Sequence, residues 1–203
     1  MSLAHTRVFK YSNDGAVLRK IYAFLFKTLG WTIDKNNWPI PYKKHILVVA
    51  PHTSNWDFLV GLGARAVLQF NPRYIGKKEL FVWPIGWLFR KLGGYPVERK
   101  VNTNLVQSLT EIFNKEEEFI LTMTPEGTRS YNDQWKTGFY YLAKNVQIPM
   151  VPVGFDYKTK RVVVHEPIFA EKPVEDLIYE LKTWFSQFEG KNPELGVRKP
   201  NKR

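Results

Sequence analysis

The sequence holds 203 residues, 44% of them apolar, which is enough for one domain with a buried core and too few for two comfortable ones. Formal net charge is +11 and the pI is near 9.7, so the favoured partners are anionic: phospholipid headgroups, phosphorylated cofactors, acidic carrier proteins or nucleic acid. Cysteine is absent, which excludes disulfides, a thiolate nucleophile and thiolate metal sites. Aromatic residues reach 15%, with seven Trp; set beside basic residues they suit a membrane interface and equally a single-stranded nucleic acid. No stretch reaches the roughly 18 apolar residues of a spanning helix, and the N-terminus lacks signal-peptide order. The expected location is cytoplasmic, at most peripheral on the inner face of the cell membrane.

In chain order, Asn13 or Asp14 caps a predicted helix running to about Leu29, with Gly30 as its stop. Val17, Leu18, Ile21, Leu25 and Leu29 form one stripe, and Arg19, Lys20 and Lys27 take the other side. Such a helix either packs that stripe on the core or lies in a bilayer interface. Residues 46–50 are a continuous apolar run, the pattern of a buried strand. A helix over 56–70, strands at 73–76 and 95–97, and an amphipathic helix over 103–114 follow. Then come a strand at 119–124, a helix over 136–145, strands at 150–155 and 161–165, and a closing helix over 174–188.

This alternation predicts one α/β domain, a mixed, largely parallel sheet flanked by helices, with an N-terminal amphipathic helix. Residues 1–44 divide off as the amphipathic, membrane-interfacial segment, 45–190 as the α/β domain and 191–203 as a loose basic tail. Residues 80–89, apolar, aromatic and broken by Pro84 and Gly86, make a poor core helix. They read better as the wall of an apolar channel or as a membrane-dipping segment.

Of the four histidines, His5, His45 and His165 read as structural or surface residues. His52 differs, because it follows the buried strand at the carboxyl edge where α/β folds place their sites, and Asp57 comes five residues later. Within one helix those positions would diverge by about 140°. His52 therefore belongs in the loop, with Ser54 or Asn55 as the cap and Asp57 folding back from the first turn. Neutral imidazole takes a proton from a hydroxyl near neutral pH, and a carboxylate on its other nitrogen fixes the tautomer and stabilises the cation. A second cluster, Thr124-Pro-Glu-Gly-Thr-Arg-Ser130, follows another strand. Gly127 there permits close backbone approach, Arg129 is a forked donor for phosphate, Thr128 and Ser130 add hydroxyls, and Glu126 is free to pair with an arginine or a substrate hydroxyl. Taken singly, each cluster is also compatible with a helix cap or a polar turn.

Together the two clusters resemble the glycerolipid acyltransferase family, whose best-known members are the 1-acyl-glycerol-3-phosphate acyltransferases. Two further blocks agree: Gly93-Gly-Tyr-Pro-Val-Glu-Arg99 is similar to the family's Gly-to-Arg block, and Ile148-Pro-Met-Val-Pro-Val153 to its proline-containing apolar block. The resemblance implies His52 as general base, Asp57 as its partner, and Arg99, Glu126 and Arg129 as contacts to the acceptor phosphate. It also implies a Gly127 amide near the developing oxyanion. Acyl-CoA or acyl carrier protein is the implied co-substrate, a lysophospholipid the acceptor, and anionic membrane lipids the surface. No cofactor is implied, and no Asp/Glu/His cluster with ligand spacing suggests a metal. Pro51, Thr124, Tyr95 and Glu98 depart from the family's common residues, which bears on acceptor identity and keeps an amino-lipid or another polar lipid open. A thioesterase and a non-enzymatic basic membrane-binding protein are the alternatives. A nucleic-acid binder is set aside, since nothing but charge and Trp content supports it.

Overall fold

The computed structural model describes residues 15–84, 86–97 and 102–201. Helix α1 (Gly15–Thr28) leads into a short strand β1 (Thr32–Asp34), then β2 (Lys44–Ala50) and α2 (Trp56–Leu68). Strand β3 (Arg73–Lys77), a 3-10 turn at Lys78–Phe81, α3 (Gly86–Lys91) and β4 (Gly94–Val97) follow. The rest is α4 (Asn102–Lys115), β5 (Phe119–Met123), α5 (Gly138–Val146), β6 (Met150–Asp156), β7 (Arg161–Val164) and α6 (Val174–Phe185), with a last 3-10 turn at Pro193–Leu195.

The strands form one seven-stranded sheet in the order β1-β7-β6-β2-β5-β3-β4. Every pairing is parallel except β6 with β7, so the mixed, largely parallel α/β fold expected from the alternation is the fold observed. Strand β2 lies between β5 and β6 and is covered on both faces, which is why its sequence is a continuous apolar run. Ile46 and Val48 point into a core shared with Leu109, Phe113, Phe139, Leu142, Leu177 and Phe185 from α4, α5 and α6. Leu47 and Val49 point the other way, to Phe26, Val60, Ala64 and Leu68 from α1 and α2. Each such fully buried side chain contributes about 1.5–3 kcal/mol relative to exposure.

Helices α1 and α2 approach closely because residue 63 is glycine: a Cβ there would lie 2.4 Å from the Phe26 ring. Helix α1 does not bury the stripe that its sequence offers. It buries Phe26 and Arg19, while Val17 is 71% and Phe24 65% exposed, and Ile21, Leu25 and Leu29 are also exposed. The stripe is therefore not packed on the core. The capping residues Asn13 and Asp14 lie outside the described residues.

The sheet also takes in residues 32–34, ahead of the division drawn at 45, and Trp31 and Ile40 belong to the core. At the other end, the expected loose tail is packed. Asn192 N–H donates to Thr53 Oγ1 at 3.1 Å and its side-chain amide to Thr53 O at 2.9 Å, and the Arg198 guanidinium lies 4.0 Å over the Tyr131 ring. The lysines and arginines suggested solvation, but tertiary partners far away in sequence decide the matter.

Candidate active site

Three adjacent parallel strands, β6, β2 and β5, end on the same sheet edge, and each delivers one polar residue there. His52 follows β2, Glu126 follows β5, and Tyr157 follows β6. Asp57, only 3% exposed, turns back from the first turn of α2 and its Oδ2 accepts from His52 Nδ1–H at 2.9 Å. The same oxygen accepts the Thr53 and Ser54 amides, each at 2.9 Å. A carboxylate there also meets the positive end of the helix dipole. The carboxylate thus holds the whole turn, and neither of the two proposed caps is needed for that. Asn55 occupies the cap position without a side-chain cap bond, and Ser54 Oγ accepts from Trp56 N–H at 3.2 Å. The other oxygen, Oδ1, accepts from the Tyr157 hydroxyl at 2.6 Å.

With Nδ1–H committed to Asp57, the neutral imidazole carries its lone pair on Nε2. His52 and Asp57 line a cavity of about 760 Å³. Its apolar wall includes Phe58, Leu62, Ile75, Leu105, Val106 and Phe139, and its cationic residues are Arg65, Arg73 and Lys136. Buried Arg65 is engaged by the fold, donating to Leu92 O at 2.9 Å and Asn71 Oδ1 at 3.3 Å. Arg73 is half-buried and Lys136 exposed. Tyr74, also in the wall, is pushed up to about 12 by burial, against the pull of Arg65, so it stays a neutral hydroxyl.

Glu126 is buried beneath the histidine loop, and its Oε2 accepts the His52 backbone amide at 2.8 Å. Burial pushes its carboxyl up to about 7; the His52 amide pulls it down and Asp57 pushes it further up. Gly127 lines the cavity in a left-handed conformation (φ +68°), and a Cβ there would meet Lys136 Cγ at 3.1 Å. The lysine stem therefore lies across a position that only glycine fits without strain. The Gly127 amide closes a turn on Thr124 O at 3.2 Å. Thr128, Arg129 and Ser130 follow on an exposed loop and are not among the cavity-lining residues. Arg99 lies outside the described residues, as does His5.

His45 is buried and structural: desolvation lowers it to about 4, against the bond of its Nδ1 to Tyr42 O at 2.9 Å. His165 packs edge-on to Trp184 with centroids 4.9 Å apart. Among the described residues of the 80–89 segment, none lines the cavity. Phe81 is buried, but Trp83 is 90% exposed and Val82 and Trp87 also face outward. For the described part of this segment the channel-wall reading does not hold: the apolar wall seen comes from α2, β3, α4 and the start of α5. Sequence reasoning missed Tyr157, Lys136 and Arg73. Tyr157 and Arg73 carry no local signal, whereas Lys136 had one in its place at the start of a predicted helix. Among the described residues there is no cluster of three or more metal-ligating side chains.

A parallel sheet edge carrying a carboxylate-oriented imidazole over an apolar cleft is an arrangement able to offer a base to a bound hydroxyl or water. Comparison with known proteins shows the family. The chain matches the family described as Acyltransferase over residues 33–156, more than half its length, and belongs to that family. It is 30% identical over 120 residues to the 1-acyl-sn-glycerol-3-phosphate acyltransferase of Saccharomyces cerevisiae, covering 55% of this chain and 38% of that protein. To human 1-acyl-sn-glycerol-3-phosphate acyltransferase beta it is 29% identical over 126 residues, covering 57% of this chain and 44% of the other. The chain thus matches less than half the length of either curated relative. The crystal structure of the 1-acyl-sn-glycerophosphate (LPA) acyltransferase PlsC from Thermotoga maritima superposes with a TM-score of 0.60 over 84% of this chain and 76% of that one. At 21% identity, that likeness shows the fold.

Proposed function

We propose that the protein transfers a fatty acyl group from acyl-CoA or acyl carrier protein to the hydroxyl of a lysophospholipid, 1-acyl-glycerol-3-phosphate being the favoured acceptor. The observation that carries this reading is the His52 Nδ1–Asp57 Oδ2 contact of 2.9 Å at a cavity with apolar walls and cationic residues. His52 Nε2 removes the proton from the acceptor hydroxyl as its oxygen attacks the thioester carbonyl. Asp57 holds the imidazolium that forms. When the tetrahedral intermediate collapses, the carbon–sulfur bond breaks and the imidazolium returns the proton to the departing thiolate. The fatty chain lies along Phe58, Leu105, Val106 and Phe139, and the phosphate is met by Lys136 and Arg73. Arg129, with Thr128 and Ser130, reaches it from the exposed loop, and Arg99 completes the basic set. Glu126 serves by fixing the His52 backbone.

The exposed apolar stripe of α1, flanked by Lys20 and Lys27, rests in the interface of an anionic membrane, presenting the cavity to lipid. Among the described residues no helix is long and apolar enough to cross a membrane, and the surface attachment proposed here needs none.

The test is thiol release from long-chain acyl-CoA and from acyl carrier protein, with and without lysophosphatidic acid. Acceptor-dependent release with a matching diacyl product, falling at least about 10²-fold in His52→Ala, is the expected result. Release independent of acceptor would make the protein a thioesterase instead.

A further inference from the structure

The hydrogen-bonded pair of the site has a third member. We infer that Tyr157 is a positioning residue for the reaction, its hydroxyl setting both the orientation and the charge of the Asp57 carboxylate that His52 leans on. This rests on the proposed role of His52 as base.

The geometry is specific. Asp57 Oδ2 is taken up by three donors from its own loop, the His52 ring and the amides of Thr53 and Ser54. Those bonds leave the carboxylate able to pivot about Oδ2. The Tyr157 hydroxyl, donating to Oδ1 at 2.6 Å, is the long-range contact that stops the pivot. It comes from the far side of β2, at the turn after β6, one hundred residues away in sequence. Tyr157 is itself braced by both ends of the domain. Trp31 meets its ring edge-on at 4.9 Å, its amide donates to Glu189 O at 2.8 Å, and Lys191 Nζ lies 5.9 Å over its ring. Burial and the Asp57 carboxylate both push the phenol up, so it remains a proton donor throughout the working range.

A donor on Oδ1 withdraws charge from the carboxylate and weakens its hold on His52 Nδ1–H. Without it, Asp57 stabilises the imidazolium more strongly, and the base is occupied by a proton to higher pH. The other ionisable groups around the pair come from several elements. Glu126 lies beneath the His52 amide, and Arg65, Arg73, Tyr74, Lys136 and Tyr141 sit in the cavity wall. All of them remain in place when the Tyr157 hydroxyl alone is removed.

The test uses Tyr157→Phe and, in parallel, 3-fluorotyrosine at position 157, a stronger donor of nearly the same shape. Turnover is followed with oleoyl-CoA and 1-oleoyl lysophosphatidic acid, and the His52 Nδ1–H proton by NMR without substrate. The phenylalanine variant is expected to lose about 10- to 100-fold in kcat at neutral pH with little change in KM. The acid limb of its kcat profile should move to higher pH and its Nδ1–H resonance downfield. Fluorotyrosine should move both the opposite way, which keeps the proposal testable if Tyr157→Phe fails to fold. An unmoved resonance and an unmoved limb in every folded variant would overturn it. The resonance reads the dyad alone, so a protein inactive on these substrates but with a shifting resonance would count against the acceptor or donor and not against Tyr157.

Discussion

The backbone amide of His52 donates to the buried carboxylate of Glu126 at 2.8 Å, so the loop after β2 and the loop after β5 are held as one piece across the strand boundary. The Glu126 carboxylate spends one oxygen on this bond, and its Oε1 has no hydrogen-bond partner among the described residues. Its chemistry is therefore that of a buried acid steadying the histidine backbone. Its peptide carbonyl contributes too, accepting from Asn132 Nδ2 at 2.8 Å and tying down the loop that follows.

A pH dependence of stability follows from that burial. The folded protein holds the Glu126 proton up to about pH 7, whereas an ordinary carboxyl releases it near 4.5. Between those values the native state binds more protons than the unfolded one, so the contribution is fully present below about pH 4.5 and is lost as pH rises through 7. Glu126→Gln keeps an oxygen for the His52 amide and removes the titration. Thermal unfolding at pH 5 and pH 8 should show the variant gaining on wild type by up to about 3 kcal/mol at the higher pH. Parallel curves for the two proteins would mean that Glu126 titrates normally.

If the acceptor carries the proposed phosphate, charge removal should reveal it. Lys136→Met keeps the stem that crosses Gly127 and discards the ammonium. With lysophosphatidic acid its KM should rise about 10- to 100-fold, the scale of one charge-assisted hydrogen bond. With the matching monoacylglycerol, which lacks the phosphate, KM should stay within about 2-fold. Arg129→Met should behave in the same sense. Equal losses on both acceptors would move the phosphate away from these cations.

Membrane attachment through α1 predicts a separation between binding and stability. Ile21 and Phe24 are exposed, at 45% and 65%, so the pair Ile21→Glu and Phe24→Glu should leave the melting temperature nearly unchanged. Sedimentation with phosphatidylglycerol vesicles should nevertheless fall by at least about 10-fold, from lost apolar insertion and added repulsion. Undiminished vesicle binding would assign attachment to another surface, with exposed Val82, Trp83 and Trp87 the first to examine.

Much of the fold was legible because its signals are local. The run at 46–50 has the pattern of a strand covered on both faces, and β2 is that strand. The spacing of His52 and Asp57 placed one in a loop and the other in a first turn, which is the geometry found. What escaped was decided by partners distant in sequence. Three residues, Thr32–Asp34, are too few to show a period, yet Arg161–Val164 offers them an edge to pair with. The direction of α1 could not be inferred from its stripe, because Phe26 and Arg19, on another face, are what α2 and the core accept. Tyr157 sits at the end of an ordinary strand, and only the sheet order brings its hydroxyl to Asp57.

The braces of Tyr157 bear on how this domain could be recombined with others. The stretch shared with its family runs from residue 33 to residue 156 and contains His52, Asp57 and Glu126, which invites its use as a transplantable cassette. Yet Trp31, Tyr157, Glu189 and Asn192, which clasp the aspartate and its loop, all lie outside those borders, the first two close beside them and the last two well past the C-terminal one. A chimera cut at the family limits would inherit His52 and Asp57 without the clasp. A graft meant to keep His52 and Asp57 in this arrangement has to include both flanks, since the contacts that hold the pair reach past the borders of sequence kinship.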